Sequence, residues 1–326
     1  MSSLVAAADQ RRERIEDKLR RELGPALLAA LEDPDVIEIM LNPDGRIWVD
    51  EFGKGMRETG ATMSPAQAES MLGTVAMMLN SVVSADRPLL EAELPIDGNR
   101  ISGALPPVVV SPIFAIRKRP SRIFTIEDYV KDGILSDAFA LAIRTAIASR
   151  HNILIVGSAG SGKTTFANAM LREIAERAGP NERIAILEDT IELQCTAPNR
   201  VELRTADEID MTRLLRATLR LRPDRIVVGE IRGAEALLLV KAWNTGHPGG
   251  ISTIHANSCV GALTRLEQLI QESGVAAQPL LIAETVNLIV QIERTISGRI
   301  VSDIQRVRNW SPVNGYESVS VTGARR

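Results

Sequence analysis

Ile153-Leu154-Ile155-Val156-Gly157-Ser158-Ala159-Gly160-Ser161-Gly162-Lys163-Thr164-Thr165 is the stretch that decides the fold of this 326-residue chain. A run of four apolar residues enters a glycine-rich turn of the form G-x4-G-K-[ST], and a stretch with Phe166, Met170 and Ile174 on one helical face leaves it. Strand, loop and helix in that order make a phosphate-binding unit. The glycines let backbone N–H groups turn inward around a polyphosphate, and the helix N-terminus adds its partial positive charge. Lys163 is placed to span the β- and γ-phosphates, and Thr164 to ligate Mg2+. Gly157, Ser158, Ala159, Gly160, Ser161, Gly162, Lys163, Thr164 and Thr165 are therefore the expected contacts of a nucleoside triphosphate with Mg2+.

Outward from this unit, β-branched runs recur at Ile184 to Leu187, Ile226 to Val228, Ile251 to Ile254 and Leu288 to Ile292, with helical stretches between them. Strands alternating with helices mean βαβ units, hence an α/β domain with a mostly parallel sheet and helices on both faces. Upstream the pattern changes. Residues 9 to 22 read as an amphipathic helix carrying six Lys/Arg and five Asp/Glu, with Ile15, Leu19 and Leu23 as its apolar stripe. Its charges nearly cancel, so it reads as a solvated helix face rather than a membrane-binding one. Val36 to Leu41 and Arg46 to Val49, joined by Asn42-Pro43-Asp44-Gly45, read as a hairpin. Ser64-Pro65-Ala66-Gln67 reads as a capping box opening a helix to about Asn80, and residues 94 to 116 as short strands. Arg117-Lys118-Arg119-Pro120-Ser121-Arg122 reads as an exposed connection. The expected organisation is an N-terminal α+β domain over 1–118, a linker over 119–130, and the phosphate-loop domain over 131–326.

Nucleotide hydrolysis also needs carboxylates to organise metal and water. Strand Ile226-Val227-Val228 runs into Gly229-Glu230, placing Glu230 at the carboxyl edge of the sheet, where ligands of doubly wound folds lie. Glycine stands where the usual Walker-B aspartate would be. Strand Ile184 to Leu187 ends in Glu188-Asp189, followed by Glu192, a second acidic cluster on the same expected edge. Acids at strand ends also cap helices or face solvent. Two of the three histidines, His247 and His255, flank one strand, and Cys259 follows. No further Cys/His pair stands near them, so a neutral His255 sensing the γ-phosphate fits better than zinc. Arg204, near the acidic cluster, is a candidate for charge compensation at the phosphates. Arg213, Arg216 and Arg220 form a basic helical stripe, a solvated face or a contact between subunits or domains.

Composition narrows the function classes. A net charge of −3 supplies no global field for polyanions, and ten aromatic residues are few for a base-stacking surface, which argues against direct nucleic-acid binding. Two distant cysteines in no metal-ligand spacing point to a reducing compartment. The start lacks a signal-peptide pattern and no apolar run approaches membrane-spanning length, so a cytosolic protein reaching a membrane through partners is expected.

Four blocks in order resemble the traffic (secretion) ATPases of the type II/type IV secretion superfamily, most closely the TrbB-type conjugal-transfer branch. They are Gly157 to Thr164, the acidic box Ile186 to Leu193, the box Arg222-Pro223-Asp224-Arg225-Ile226-Val227-Val228-Gly229-Glu230-Ile231-Arg232-Gly233, and the histidine box ending in His255. Glycine before Glu230 is normal for that family. The resemblance implies a RecA-like ATPase domain, ATP and Mg2+, and a homohexameric ring in which nucleotide lies between the N- and C-terminal domains. Carried onto matching positions, Glu230 is the catalytic carboxylate, Glu188 positions metal or water, and His255 couples γ-phosphate status to domain motion. Arg100 and Arg117 reach the phosphates, with Arg119 a rival for the second role. The implied partners are inner-membrane components of a type IV secretion or conjugation machine, and a membrane surface. The implied place is the cytoplasmic side of a bacterial inner membrane. A DNA-translocating or unwinding motor on the same core is the alternative; DNA-stimulated turnover would favour it.

Overall fold

The computed structural model describes residues 2–51, 54–119, 123–206, 208–295 and 298–321, the side chains of 2–12 excepted. They divide into two units, Met1–Arg122 and Ile123–Arg326. In the first, α1 (Ser2–Glu32) is followed by the hairpin β1 (Val36–Leu41) and β2 (Arg46–Glu51) and by β3 (Gly55–Thr62). Gly24 leaves helical geometry at φ 73° beside Pro25, which breaks α1 and lets Leu19, Leu23 and Leu27 all point into one core. Next come α2 (Pro65–Met78), β4 (Leu89–Glu93), β5 (Arg100–Ala104) and β6 (Ile113–Arg117).

The strands form an antiparallel sheet in the order β3-β2-β1-β6-β5-β4. Ile39, Ile47, Ile101 and Ile116 pack from the sheet against Met71, Leu72 and Val75 of α2. Each such buried side chain contributes about 1.5–3 kcal/mol relative to exposure. Ser64 caps α2 by accepting the Gln67 N–H, but the expected capping box does not close. The Gln67 amide instead donates to the Glu22 carbonyl at 2.7 Å, a tie between helices that local spacing cannot reveal.

The stretch read as an exposed connection is in part structural. Arg117 ends β6, Lys118 donates to the carbonyls of Ala30 and Asp33, and Arg119 pairs with Glu93 at 3.3 Å. Pro120, Ser121 and Arg122 lie outside the described residues. Within the segment 119–130, α3 (Ile126–Lys131) buries Ile126 and Tyr129 in the core of the second unit, capped by a reciprocal Thr125–Asp128 box.

The second unit continues with α4 (Asp137–Ala148), β7 (Ile153–Gly157), α5 (Lys163–Arg177), β8 (Ile184–Glu188), β9 (Arg200–Arg204) and α6 (Met211–Thr218). It closes with β10 (Arg225–Glu230), α7 (Glu235–Asn244), β11 (Ile251–His255), α8 (Cys259–Gln271), α9 (Pro279–Thr285), β12 (Leu288–Thr295), β13 (Gly298–Ser311) and β14 (Gly315–Ser320). The sheet order is β14-β13-β12-β7-β11-β10-β8-β9. The α/β class stands, with one addition to the expected sheet. β12 to β9 are parallel, while β13 and β14 extend the sheet antiparallel.

β7 shows why the core has two halves. Ile153 and Ile155 pack with Phe166, Met170 and Ile174 of α5 on one face, whereas Leu154 and Val156 pack with Leu239, Trp243 and Leu266 on the other. A run apolar at every position is buried on both faces. Helix α5 is thereby fixed over the carboxyl end of β7, with Phe166 edge-on to Tyr129 at 4.7 Å between centroids.

Candidate functional site

The phosphate loop bridges β7 and α5, and its backbone is committed before any side chain acts. Gly162 sits at φ 96° as the residue capping α5, a left-handed conformation that favours glycine. A Cβ on Gly157 would lie 2.3 Å from the Ile292 carbonyl and 2.5 Å from Ser161 Oγ, so the loop's base packs directly on β12. Ser158, Ala159 and Gly160 form an exposed rim, while Gly157 and Ser161 are buried below it. Thr164 and Thr165 follow in the first turn of α5, half-buried.

Four strand ends line up at this edge in the sheet order β7, β11, β10, β8. The register sets Gly157 against His255, and Glu230 against Thr253 of the same β11. The side chains join in one hydrogen-bonded line. Buried Lys163 Nζ donates to the carbonyls of Gly157 at 3.0 Å and Ser158 at 2.9 Å, and lies 3.2 Å from His255 Nδ1. His255 Nε2 lies 2.7 Å from Glu230 Oε1. An ammonium can only donate, so Nδ1 accepts and Nε2 carries the proton toward Glu230. Partial desolvation lowers the His255 pKa; Glu230 opposes that shift, and Lys163 and Arg232 add to it.

Glu230 has a further partner that the sequence reading did not single out. Arg232 Nε donates to Glu230 Oε2 at 2.5 Å, a second guanidinium nitrogen reaches the same oxygen, and Nη1 lies 3.6 Å from Asp189. The signal was present as Glu230-Ile231-Arg232, because alternate residues leaving a strand share a side. Asn168 was also missed. From α5 its amide donates to the Glu192 carbonyl at 3.0 Å and accepts the Gln194 N–H at 2.7 Å, tying the acidic box to the phosphate-loop helix. Arg299 of β13 lies beside Gly162, with Nε 3.0 Å from where a Cβ would stand.

Glu188 is brought to the same edge but is partly committed to structure. Its Oε1 accepts the backbone N–H groups of Glu192 at 3.0 Å and Leu193 at 2.8 Å. Arg204 stands opposite Glu188 in the β8–β9 register, exposed at the end of the edge strand. A Mg2+ ion with bound phosphates keeps several waters and takes one or two hard oxygen ligands from protein. The Thr164 hydroxyl and Glu188 carboxyl are donors of that kind, so the residues present fit the ion.

His247 does not join His255. Its Nδ1 contacts the Pro223 carbonyl at 2.8 Å, before β10 begins and so at the opposite edge of the sheet. Arg213, Arg216 and Arg220 are exposed, and Arg213 donates to the Glu208 carbonyl. In the first unit, Arg100 of β5 stands directly opposite Arg117 of β6, flanked in register by Glu93 and Glu38. Like charges directly opposite are unfavourable unless an anion or flanking carboxylates offset them. Arg119, the rival, is held by Glu93.

Burial pushes the Glu188 carboxyl up to about 7, against the backbone N–H groups that favour its charged form. Unfolded, it ionises near 4.5, so between these values the folded chain binds more protons and stability falls as pH rises, the penalty being complete above the upper value. Glu188→Gln removes the ionisation and keeps a carbonyl to accept both N–H groups. Without nucleotide or magnesium, its Tm should exceed that of the wild type at about pH 8 by more than at about pH 5. Thermal scans showing the same difference at both values would mean that the carboxyl titrates normally.

The family of type II/IV secretion system proteins matches residues 22–322. The chain belongs to that family. Two relatives within it are similar over nearly their whole length. A probable conjugal transfer protein TrbB from Sinorhizobium fredii is 52% identical over 298 residues, 91% of each chain. A conjugal transfer protein TrbB from Rhizobium radiobacter is 51% identical over 305 residues, 94% of this chain and 92% of that one. Among solved structures, the Legionella pneumophila ATPase DotB superposes with a TM-score of 0.60 at 19% identity, covering 90% of this chain and 78% of that one. The pilus retraction motor PilT with bound ADP gives 0.56 at 19%, covering 90% and 80%. These structures share the fold of this secretion-family member, an N-terminal domain followed by a RecA-like domain.

Proposed function

We propose that the chain is a Mg2+-dependent ATP hydrolase that works as a homohexameric motor for type IV secretion and conjugal transfer. The observation that carries this reading is the line Lys163–His255–Glu230, which begins in the phosphate loop and ends on a carboxylate at the sheet edge. The TrbB relatives, named for conjugal transfer, support the assignment to that process.

The N–H groups of residues 158–164 and the N-terminus of α5 hold the β- and γ-phosphates, and Lys163 exchanges its carbonyl acceptors for phosphate oxygens. The Thr164 hydroxyl and the Glu188 carboxyl would hold Mg2+, which would supply charge neutralisation for the transferring phosphoryl group. Glu230 orients the attacking water and accepts its proton. His255 lies between Lys163 and Glu230, so movement of Lys163 toward phosphate changes what His255 donates to Glu230. That makes His255 the link between γ-phosphate status and the carboxylate. Arg204 compensates charge near the acidic box, and Arg100 and Arg117, a cationic pair facing each other across strands of the first unit, offer an anion contact there.

Among the described residues no helix is long and apolar enough to cross a membrane. We place the protein on the cytoplasmic side of the inner membrane, held there by membrane components of the secretion machine and by the lipid surface. A closed ring uses two different faces of each subunit and closes only at a fixed rotation. Sedimentation with Mg-ATP should therefore show a hexamer that weakens without nucleotide. A monomer at every protein concentration under both conditions would remove the ring.

A further inference from the structure

We propose that Arg232 is a positioning residue for Glu230, alternating between that carboxylate and Asp189 and so setting when Glu230 can accept a proton from water. This rests on the proposed role of Glu230. Both Glu230 oxygens are engaged: His255 faces Oε1 at 2.7 Å, while Arg232 places two guanidinium nitrogens on Oε2. A carboxylate oxygen that already accepts two charge-assisted bonds has little capacity left for a water proton. Arg232 must leave Oε2 before Glu230 works as a base.

The second seat is in place. Asp189, one residue beyond β8, has its Oδ2 3.6 Å from Arg232 Nη1. The side chains of Arg232 and Asp189 are 55% and 43% exposed, against 15% for Glu230, so the guanidinium moves at the mouth of the site over a more enclosed carboxylate. Its backbone does not move with it. Glu235 Oε1 accepts the N–H groups of Arg232 at 2.7 Å and Gly233 at 2.9 Å, pinning the start of α7. A long cationic side chain on a fixed backbone between two carboxylates is a two-position element, and its distribution follows the relative attraction of the two seats.

The test compares Arg232→Gln, Asp189→Asn, their double variant and Glu230→Gln in the full chain. The readouts are steady-state turnover at saturating Mg-ATP, KM, and affinity for a fluorescent ATP analogue. Arg232→Gln should raise kcat about threefold to fivefold, the scale expected for an exposed ion pair, with analogue affinity within about twofold of wild type. Asp189→Asn should lower kcat at unchanged KM, because Arg232 loses its second seat. The double variant should match Arg232→Gln, since without the guanidinium the seat is irrelevant. A role confined to folding would not give that masking. A kcat lowered by Arg232→Gln would make the guanidinium a stabiliser of transition-state charge and overturn the proposal, as would an Asp189 effect that persists in the double variant. An inactive Glu230→Gln beside an unaccelerated Arg232→Gln overturns the role of Arg232 alone. Wild-type turnover in Glu230→Gln overturns the role of Glu230 and this proposal together.

Discussion

Lys163→Ala should reduce ATP turnover by about a thousandfold or more and weaken nucleotide binding, since a fixed cation at developing phosphoryl charge is among the largest single contributions to such reactions. The loss is greater than that of one phosphate contact. Lys163 Nζ also donates to the carbonyls of Gly157 and Ser158 and lies against His255 Nδ1, so its removal disconnects the phosphate loop from Glu230. The fold should survive. β7 and α5 are held by Ile155, Phe166, Met170 and Ile174, none of which the substitution touches. Circular dichroism should be unchanged while phosphate release falls by that factor. Turnover within about tenfold of wild type in this variant would mean that another cation performs the task.

The parallel core of the second unit was legible because its strands are buried on both faces. Ile153 to Val156, Ile184 to Leu187 and Ile226 to Val228 are apolar without interruption, and each maps onto an observed strand. Strands at the margins were not legible. β9 alternates exposed charged residues with half-buried ones, and β13 carries Arg299, Arg306 and Arg308, so neither reads as an apolar run. Glycine-rich spacing located the phosphate loop, and strand ends located Glu188, Glu230 and His255. What spacing could not convey is which partners those side chains choose. Gln67 satisfies a carbonyl in α1 instead of its own helix, Glu188 spends one oxygen on its own loop, and Arg232 turns back onto Glu230. The two histidines illustrate the same limit. They flank β11, whose five residues separate its ends by about 16 Å. His247 therefore belongs to the opposite edge of the sheet.

Glu230→Gln should separate binding from chemistry. The amide preserves size but keeps one acceptor oxygen where the carboxylate has two, so it accepts from His255 Nε2 or from Arg232 and leaves the other donor to water. It cannot take a proton from water, because an amide oxygen is a far weaker base than a carboxylate. Turnover should fall about a hundredfold or more, with ATP affinity within about twofold of wild type. Glu230 is joined to Lys163 through His255, one side chain removed from the loop, which is why binding should be spared. Paired determination of ATP affinity and phosphate release on the same Glu230→Gln preparation tests most directly whether this carboxylate activates water in a phosphate-loop ATPase. Retained binding with release at least about a hundredfold slower is the result expected; normal release, or loss of ATP binding, would contradict it.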